Sequence, residues 1–409
     1  MQADVEPPEW LNKQFIERAL REGENKEINV KQINVHSATS AGDNFCSIVF
    51  RVTATYEMNC GSKLEDYTKS LIIKTLPEEE NAKKIVAEND AFLTEIGVLR
   101  KVIPKFHRLL NAPPSERNVS LAAKCYHHTD KPHYTLVLED LCQSGFKMAQ
   151  NTLGLDLDHS KLVVSHLGLI HAASFALHHQ EPQSFSSFLQ YPHLKTTQSI
   201  KTVLKISFER AANEVWQWPE VGEKYYDKLY RLGGNAFQLL EEAVQRNDQG
   251  FNVLNHGDAW KNNMMFRYDV DGKVSDMTFV DFQFCYYGSP AIDLLYFLYS
   301  STSSDVRRNH LDRLLEVYHS SLSKMFTRLG CVDQCPSLAD IHVEQDKRSF
   351  ITLFAALCGL SVISSVSSPD VEGKHDDKDE TSAENHFSED FIYDLINILS
   401  TVENKPWFH

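Results

Sequence analysis

The stretch Asn255-His256-Gly257-Asp258-Ala259-Trp260-Lys261-Asn262-Asn263 decides how this chain is read. It places an imidazole, a glycine, a carboxylate and side-chain amides between a helical pattern ending near Arg246 and a strand pattern beginning near Met264. Met264 to Tyr268, the turn Asp269-Val270-Asp271-Gly272 and Met277 to Phe282 read as a hairpin. Asp281 ends it, in Val280-Asp281-Phe282-Gln283.

A loop carboxylate, an amide five residues on and a second carboxylate after a hairpin are the parts that phosphoryl transfer needs. Asp258 is the candidate catalytic residue, able to orient an attacking hydroxyl and take its proton. Mg²⁺ takes oxygen ligands from one or two carboxylates, phosphates and water, and an amide oxygen joins them without adding charge. Asp281 is one candidate ligand; spacing alone leaves Asn262 and Asn263 both open as the other. His256 reads as a brace for the loop, not as a chemical group, and Asp293 in Gly288-Ser289-Pro290-Ala291-Ile292-Asp293-Leu294 as a second support.

Working outward, Ile28 to Ser37 and Ser47 to Glu57 read as strands around a turn, and Ser70 to Leu76 as a third, ended by Pro77. Lys74 lies in that third, apolar strand. A lysine there needs a partner, and Glu95, on a helical pattern from about Glu79 to Val102, is the first choice, with Glu88 second. So held, the Lys74 amine can contact nucleotide phosphates. The loop at 38–45 contains Gly42, Asp43 and Asn44, whose backbone N–H groups can face phosphate, although it lacks the glycine-rich pattern of protein kinases. Glu139-Asp140-Leu141 follows a last strand and reads as a connection between lobes, where the Glu139 carbonyl and Leu141 N–H can meet an adenine.

Strand, strand, strand, helix, strand, strand and then mostly helices make an α+β chain of two lobes, of the protein-kinase-like class. The boundaries read as an N-terminal helix in 1–27, a β-rich ATP-binding lobe in 28–138, a hinge at 139–141 and a large helical lobe in 142–409. In the large lobe, 161–178, 222–246, 305–329, 348–366 and 389–401 carry helical patterns, and 367–388 is a polar, acidic, mobile loop. The N-terminal helix pattern covers 9–22, with Gly23 as its stop.

A formal charge of −15 argues against nucleic-acid binding and against docking on anionic membranes. No stretch reads as long enough to span a bilayer, the longest apolar run near the end being Phe354 to Val362. The start is polar and acidic rather than a signal peptide, and eight scattered cysteines fit reduced thiols. These features place the protein in the cytoplasm, with no obligate protein partner evident.

The motifs His256-Gly257-Asp258-Ala259-Trp260-Lys261-Asn262-Asn263, Val280-Asp281-Phe282-Gln283 and Gly288 to Leu294 resemble the signature of the ecdysteroid kinase-like proteins, relatives of choline kinases and aminoglycoside phosphotransferases. The likeness extends to Gly42-Asp43-Asn44-Phe45, Phe92 to Ile96, Leu138 to Leu141 and Leu169 to Ser174, so it covers roughly 30–365. It implies a two-lobed kinase-like fold and ATP- and Mg²⁺-dependent phosphorylation of a hydroxyl on a small molecule: an ecdysteroid, another steroid or a xenobiotic alcohol. It also assigns the metal position to Asn263. Ala259, where the family often has Leu, and Gly97-Val98-Leu99, where an aromatic is common, depart from the pattern away from the chemistry. The alternatives are a ligand-binding pseudokinase, which would have no need of metal ligands, and a choline- or ethanolamine-type kinase. A protein kinase is disfavoured by the missing glycine-rich loop and by the helical stretch at 150–246. The acceptor pocket is expected to use Trp260, Tyr286, Tyr287 and the region of Phe354.

Overall fold

A computed structural model describes residues 6–38, 47–60, 63–76, 90–111, 119–131, 133–150, 154–195, 197–357 and 388–409. Gly42, Asp43, Asn44, Glu88 and the acidic loop lie outside the described residues. By contacts the chain divides into two compact units, Met1–Lys147 with Arg267–Phe284, and Met148–Phe266 with Cys285–His409. The sequence reading puts the division at 139–141 and all of 142–409 on one side. The hairpin segment Arg267–Phe284 instead groups with the first unit, because Phe279 bridges to Ala122 and Asp281 pairs with Lys74.

The first unit is built on an antiparallel sheet in the order β1-β2-β3-β5-β4, with β1 at Ile28–Ser37, β2 at Ile48–Cys60, β3 at Lys63–Thr75, β4 at Cys125–Thr129 and β5 at Thr135–Glu139. One face buries Val30, Phe50, Val52, Leu71, Ile73 and Val137 against Ile16, Ala19 and Leu20 of α1 (Lys13–Glu24). Asn12 caps α1 by accepting from the Phe15 N–H. Gly23 is not its stop: the helix runs on to Glu24 and ends at Asn25, which takes the left-handed conformation (φ 52°). Gly23 instead permits close packing, since a Cβ there would lie 2.9 Å from the Cα of Tyr126. Side chains alternate along a strand, so Lys74 projects on the face opposite Leu71 and Ile73.

The helix expected to end at Val102 continues. After α2 (Ala91–Gly97) a π-turn, Val98–Val102, leads into α3 (Ile103–Leu110). Pro104 sits in the first turn of α3, where its missing N–H costs nothing. The hairpin pairs the end of β7 (Met264–Tyr268) with β8 (Val274–Phe279), and Asp269 closes the turn by accepting from Asp271 and Lys273 N–H groups. β8 therefore stops two residues before Asp281.

The second unit is mainly helical: α4 (Leu157–Gln180), α5 (Thr197–Trp216), α6 (Pro219–Val244), α7 (Ala291–Ser300), α8 (Ser304–Asn309), α9 (Leu311–Arg328), α10 (Leu338–Lys347), α11 (Phe350–Ala355) and α12 (Glu389–Val402). Helix α5 falls inside the helical stretch at 150–246 but has no bounds of its own in the sequence reading, and the pattern at 305–329 is two helices broken at His310. A two-stranded sheet, β6 (Val253–Asn255) with β9 (Tyr286–Gly288), lies among them. The shared core joins Phe208, Leu229, Leu240, Leu295, Leu353, Phe391 and Leu399 from five of these helices. A buried ion pair of Arg307 and Asp394 ties α8 to α12.

The expectation that no segment reaches a bilayer-spanning length is corrected by α4. It is long and apolar enough by length and composition, and 67% of its apolar window is buried in the unit's interior. Its apolar character answers to that interior, where His171 and Ser174 also lie fully buried.

Candidate active site

The candidate residues fall in two constellations, one in each unit. In the first, the Lys74 ammonium lies 2.7 Å from Glu95 Oε2 and 2.7 Å from Asp281 Oδ1. Lys74 and Glu95 are almost wholly buried. Burial acts to lower the Lys74 pKa, but the charges of Asp281 and then Glu95 outweigh it, and the ammonium is held protonated, above its ordinary value. Burial pushes the Glu95 carboxyl up, against the pull of Lys74. Helix α2 presents Glu95 because this short helix is buried nearly all round, on Ala91, Phe92, Thr94 and Ile96 as well. Asp281 is in the left-handed region, with φ 65°. Aspartate tolerates this conformation better than most residues but still at a cost, and such costs gather at functional positions.

The stretch after β5 is pinned by a residue that the sequence reading left without a role. Asp140 Oδ2 accepts from Ser70 Oγ at 2.6 Å and Arg51 Nε at 2.8 Å, and Oδ1 accepts from the Cys142 N–H at 3.1 Å. Glu139 donates its N–H to the Lys124 carbonyl, and Leu141 opens a 3₁₀ turn closed by Gly145 and Phe146. Burial acts to raise the Asp140 pKa; hydrogen bonds from Ser70 and then Arg51 overcome it and hold the carboxyl below its ordinary value. A depressed folded-state pKa contributes stability above the unfolded value, near 3.8, that is lost as pH falls through the folded one. Asp140→Ala should therefore cost about 1–3 kcal/mol at pH 7, with the gap between variant and parent narrowing below about pH 4. Urea titrations at both pH values measure this.

In the second unit, the loop at 255–263 is held by Asp293. The Asp293 carboxylate accepts from the His256 N–H at 2.6 Å and the Gly257 N–H at 2.9 Å. His256 thus contributes its backbone to the brace. Asp293 is wholly buried and is itself oriented by His171, whose Nε2 lies 3.4 Å away and whose Nδ1 meets the Tyr318 hydroxyl at 2.9 Å. Asn255 Oδ1 accepts the Asp293 N–H, while its Nδ2 reaches the carbonyls of Tyr286 and Gly288. Gly257 turns the chain at φ 81°, a conformation glycine adopts without penalty.

Asp258 is then presented with both carboxylate oxygens held. Asn263 Nδ2 donates to Oδ2 at 2.9 Å and to the Asp258 carbonyl at 3.0 Å; the Tyr296 hydroxyl donates to Oδ1 at 3.1 Å. The two acceptors fix the Asn263 amide so that its nitrogen faces Asp258 and its oxygen faces away. That oxygen, like the Asp281 carboxylate, is a hard donor of the kind Mg²⁺ takes. Among the described residues no cluster of three or more His, Cys, Asp or Glu side chains could hold a metal by itself.

Of these groups, Tyr296, Asp140 and Asn255 were not singled out from sequence. Tyr296 had a signal, because Asp293 and Tyr296 are three residues apart on one helix and share a face. Two of the expected pocket residues line different cavities. Tyr286 lines a cleft of about 890 Å³ with Tyr191 and Phe237, and Tyr287 a separate one of about 440 Å³ with His178. Neighbours on a strand face opposite ways. Trp260 packs on the helical core, and Phe354 lies against Tyr296, ring centroids 6.1 Å apart.

The model of the ecdysteroid kinase-like family matches residues 41–331, a span holding both constellations. The chain belongs to the ecdysteroid kinase-like family. Membership brings a kinase-like α+β fold class, with a sheet-based N-terminal region and a helical C-terminal one. No curated protein matches this family member. Among solved structures, an ethanolamine kinase of Plasmodium vivax is similar at 13% identity and a TM-score of 0.33, over 80% of this chain and 82% of that one.

Proposed function

We propose that the protein transfers the γ-phosphoryl group of ATP to a hydroxyl of a small, largely apolar alcohol, an ecdysteroid, another steroid or a xenobiotic. The observation that carries this reading is the Lys74 ammonium shared between Glu95 and Asp281, residues 21 and 207 positions away in the chain. Burying Lys74 and Glu95 beside a half-buried Asp281 is a poor way to gain stability, and charged groups held in this way gather where chemistry is done.

Lys74, held by Glu95, binds the nucleotide's phosphates. Asn263 and Asp281 would supply oxygens to Mg²⁺, which when bound would neutralise charge on the phosphates. Glu139 and Leu141 offer backbone groups to the adenine. Asp258 orients the acceptor hydroxyl and takes its proton as the acceptor oxygen bonds to phosphorus and ADP leaves. His256 and Asp293 keep the loop in place. The family's name favours an apolar acceptor.

ATP consumption measured across ecdysteroids, other sterols, alkaloid alcohols, choline and ethanolamine tests the reading. Acceptor-dependent turnover with sterols supports it, turnover confined to choline or ethanolamine moves the acceptor class, and ligand binding without ATP use contradicts it. Asp281→Ala should weaken Mg²⁺-ATP binding at least tenfold, the worth of one charge-assisted contact of about 1.4 kcal/mol. Unchanged affinity by calorimetry would remove Asp281 from the metal site.

A further inference from the structure

We infer that Tyr296 is the residue that positions Asp258 for proton transfer, an inference that rests on Asp258 being the base. A carboxylate on a short side chain rotates broadly about its last torsion, so a base on a loop needs more than a fixed backbone. Here the backbone is fixed by Asp293 and the carboxylate by Tyr296, and both come from α7, one turn apart. The same helix therefore sets where the loop lies and how its acid is turned.

The Tyr296 hydroxyl is itself well placed for this. Its ring is 9% exposed and packs against Phe354, so the two side-chain torsions of the tyrosine are held and the oxygen stays where the helix puts it. Asn263 holds the other carboxylate oxygen from the opposite end of the loop. An ionised carboxylate has about four lone-pair sites. A donor on each oxygen holds the plane of the carboxylate.

Tyr296→Phe keeps the ring and removes only the donor, so the fold should survive with its thermal midpoint close to the parent's. Turnover should be followed with an ecdysteroid as acceptor and with water alone, as ATP hydrolysis. The expected result is a fall in kcat of about tenfold to a hundredfold, the worth of a hydrogen bond to a charged group, with KM for ATP unchanged. The double variant Asp258→Asn with Tyr296→Phe should be no slower than Asp258→Asn alone, because a positioning residue has nothing left to position. A Tyr296→Phe enzyme with parental kcat, or a double variant in which the two losses multiply, would overturn the inference. If Asp258→Asn itself turned over normally, it would be the reading of Asp258 as base that failed.

Discussion

Asp258→Asn is expected to lower kcat by about 10²–10⁴-fold, the usual worth of a positioned general base, while ATP binds nearly as before. The substitution suits this test because the new amide fits its surroundings. It can give its oxygen to Asn263 Nδ2 and its NH₂ to the Tyr296 oxygen, which accepts as readily as it donates. Asp293 contacts only the backbone of this loop, at His256 and Gly257, so its grip is untouched. What disappears is the capacity to take a proton. A loss in kcat with unchanged calorimetric affinity for ATP marks a group that acts in the transition state. Equal losses in both would mean that Asp258 serves binding instead.

The second large effect is expected at Lys74. Lys74→Met leaves Glu95 and Asp281 facing one another without their shared cation. Breaking a buried pair from one side costs about 3–5 kcal/mol. Here the lower part of that range is expected, because the Glu95 carboxyl is already raised by burial and can take up a proton. ATP affinity should fall as well, since the cation proposed to meet its phosphates is removed from the Glu95–Asp281 cluster. Adding Glu95→Gln to Lys74→Met should restore part of the stability, by deleting a stranded charge, but none of the ATP binding. Urea denaturation and calorimetry on the two variants separate these roles. If the double variant recovered ATP affinity too, Lys74 would be a structural cation.

The pairing of Lys74 with Glu95 was legible because each lies where its charge is costly: a lysine in an apolar strand, an acid among Phe92, Ile96 and Leu99. The loop at Asp258 was legible because its polar residues crowd together between a helix and a hairpin. Three features were not. The left-handed turn at Asp281 depends on how the chain leaves β8, and a strand pattern running through Phe282 hides it. Asp140 looks like a bystander between two backbone contacts, because its partners Arg51 and Ser70 come from other strands. Tyr286 and Tyr287 look like one aromatic wall until strand alternation sends them to different clefts. Helix α5 does carry a readable stripe, in Leu204, Phe208, Ala211, Ala212 and Val215, although tryptophans and charges interrupt the surrounding sequence.

The most direct test is the product. Wild-type protein incubated with ATP, Mg²⁺ and an ecdysteroid or related sterol should yield the phosphate ester, seen by mass spectrometry as one added phosphoryl group. Asp258→Asn protein under the same conditions should yield essentially none while still binding ATP. Ester formed equally by both, or no ester with any alcohol despite tight ATP binding by the wild type, would contradict the account.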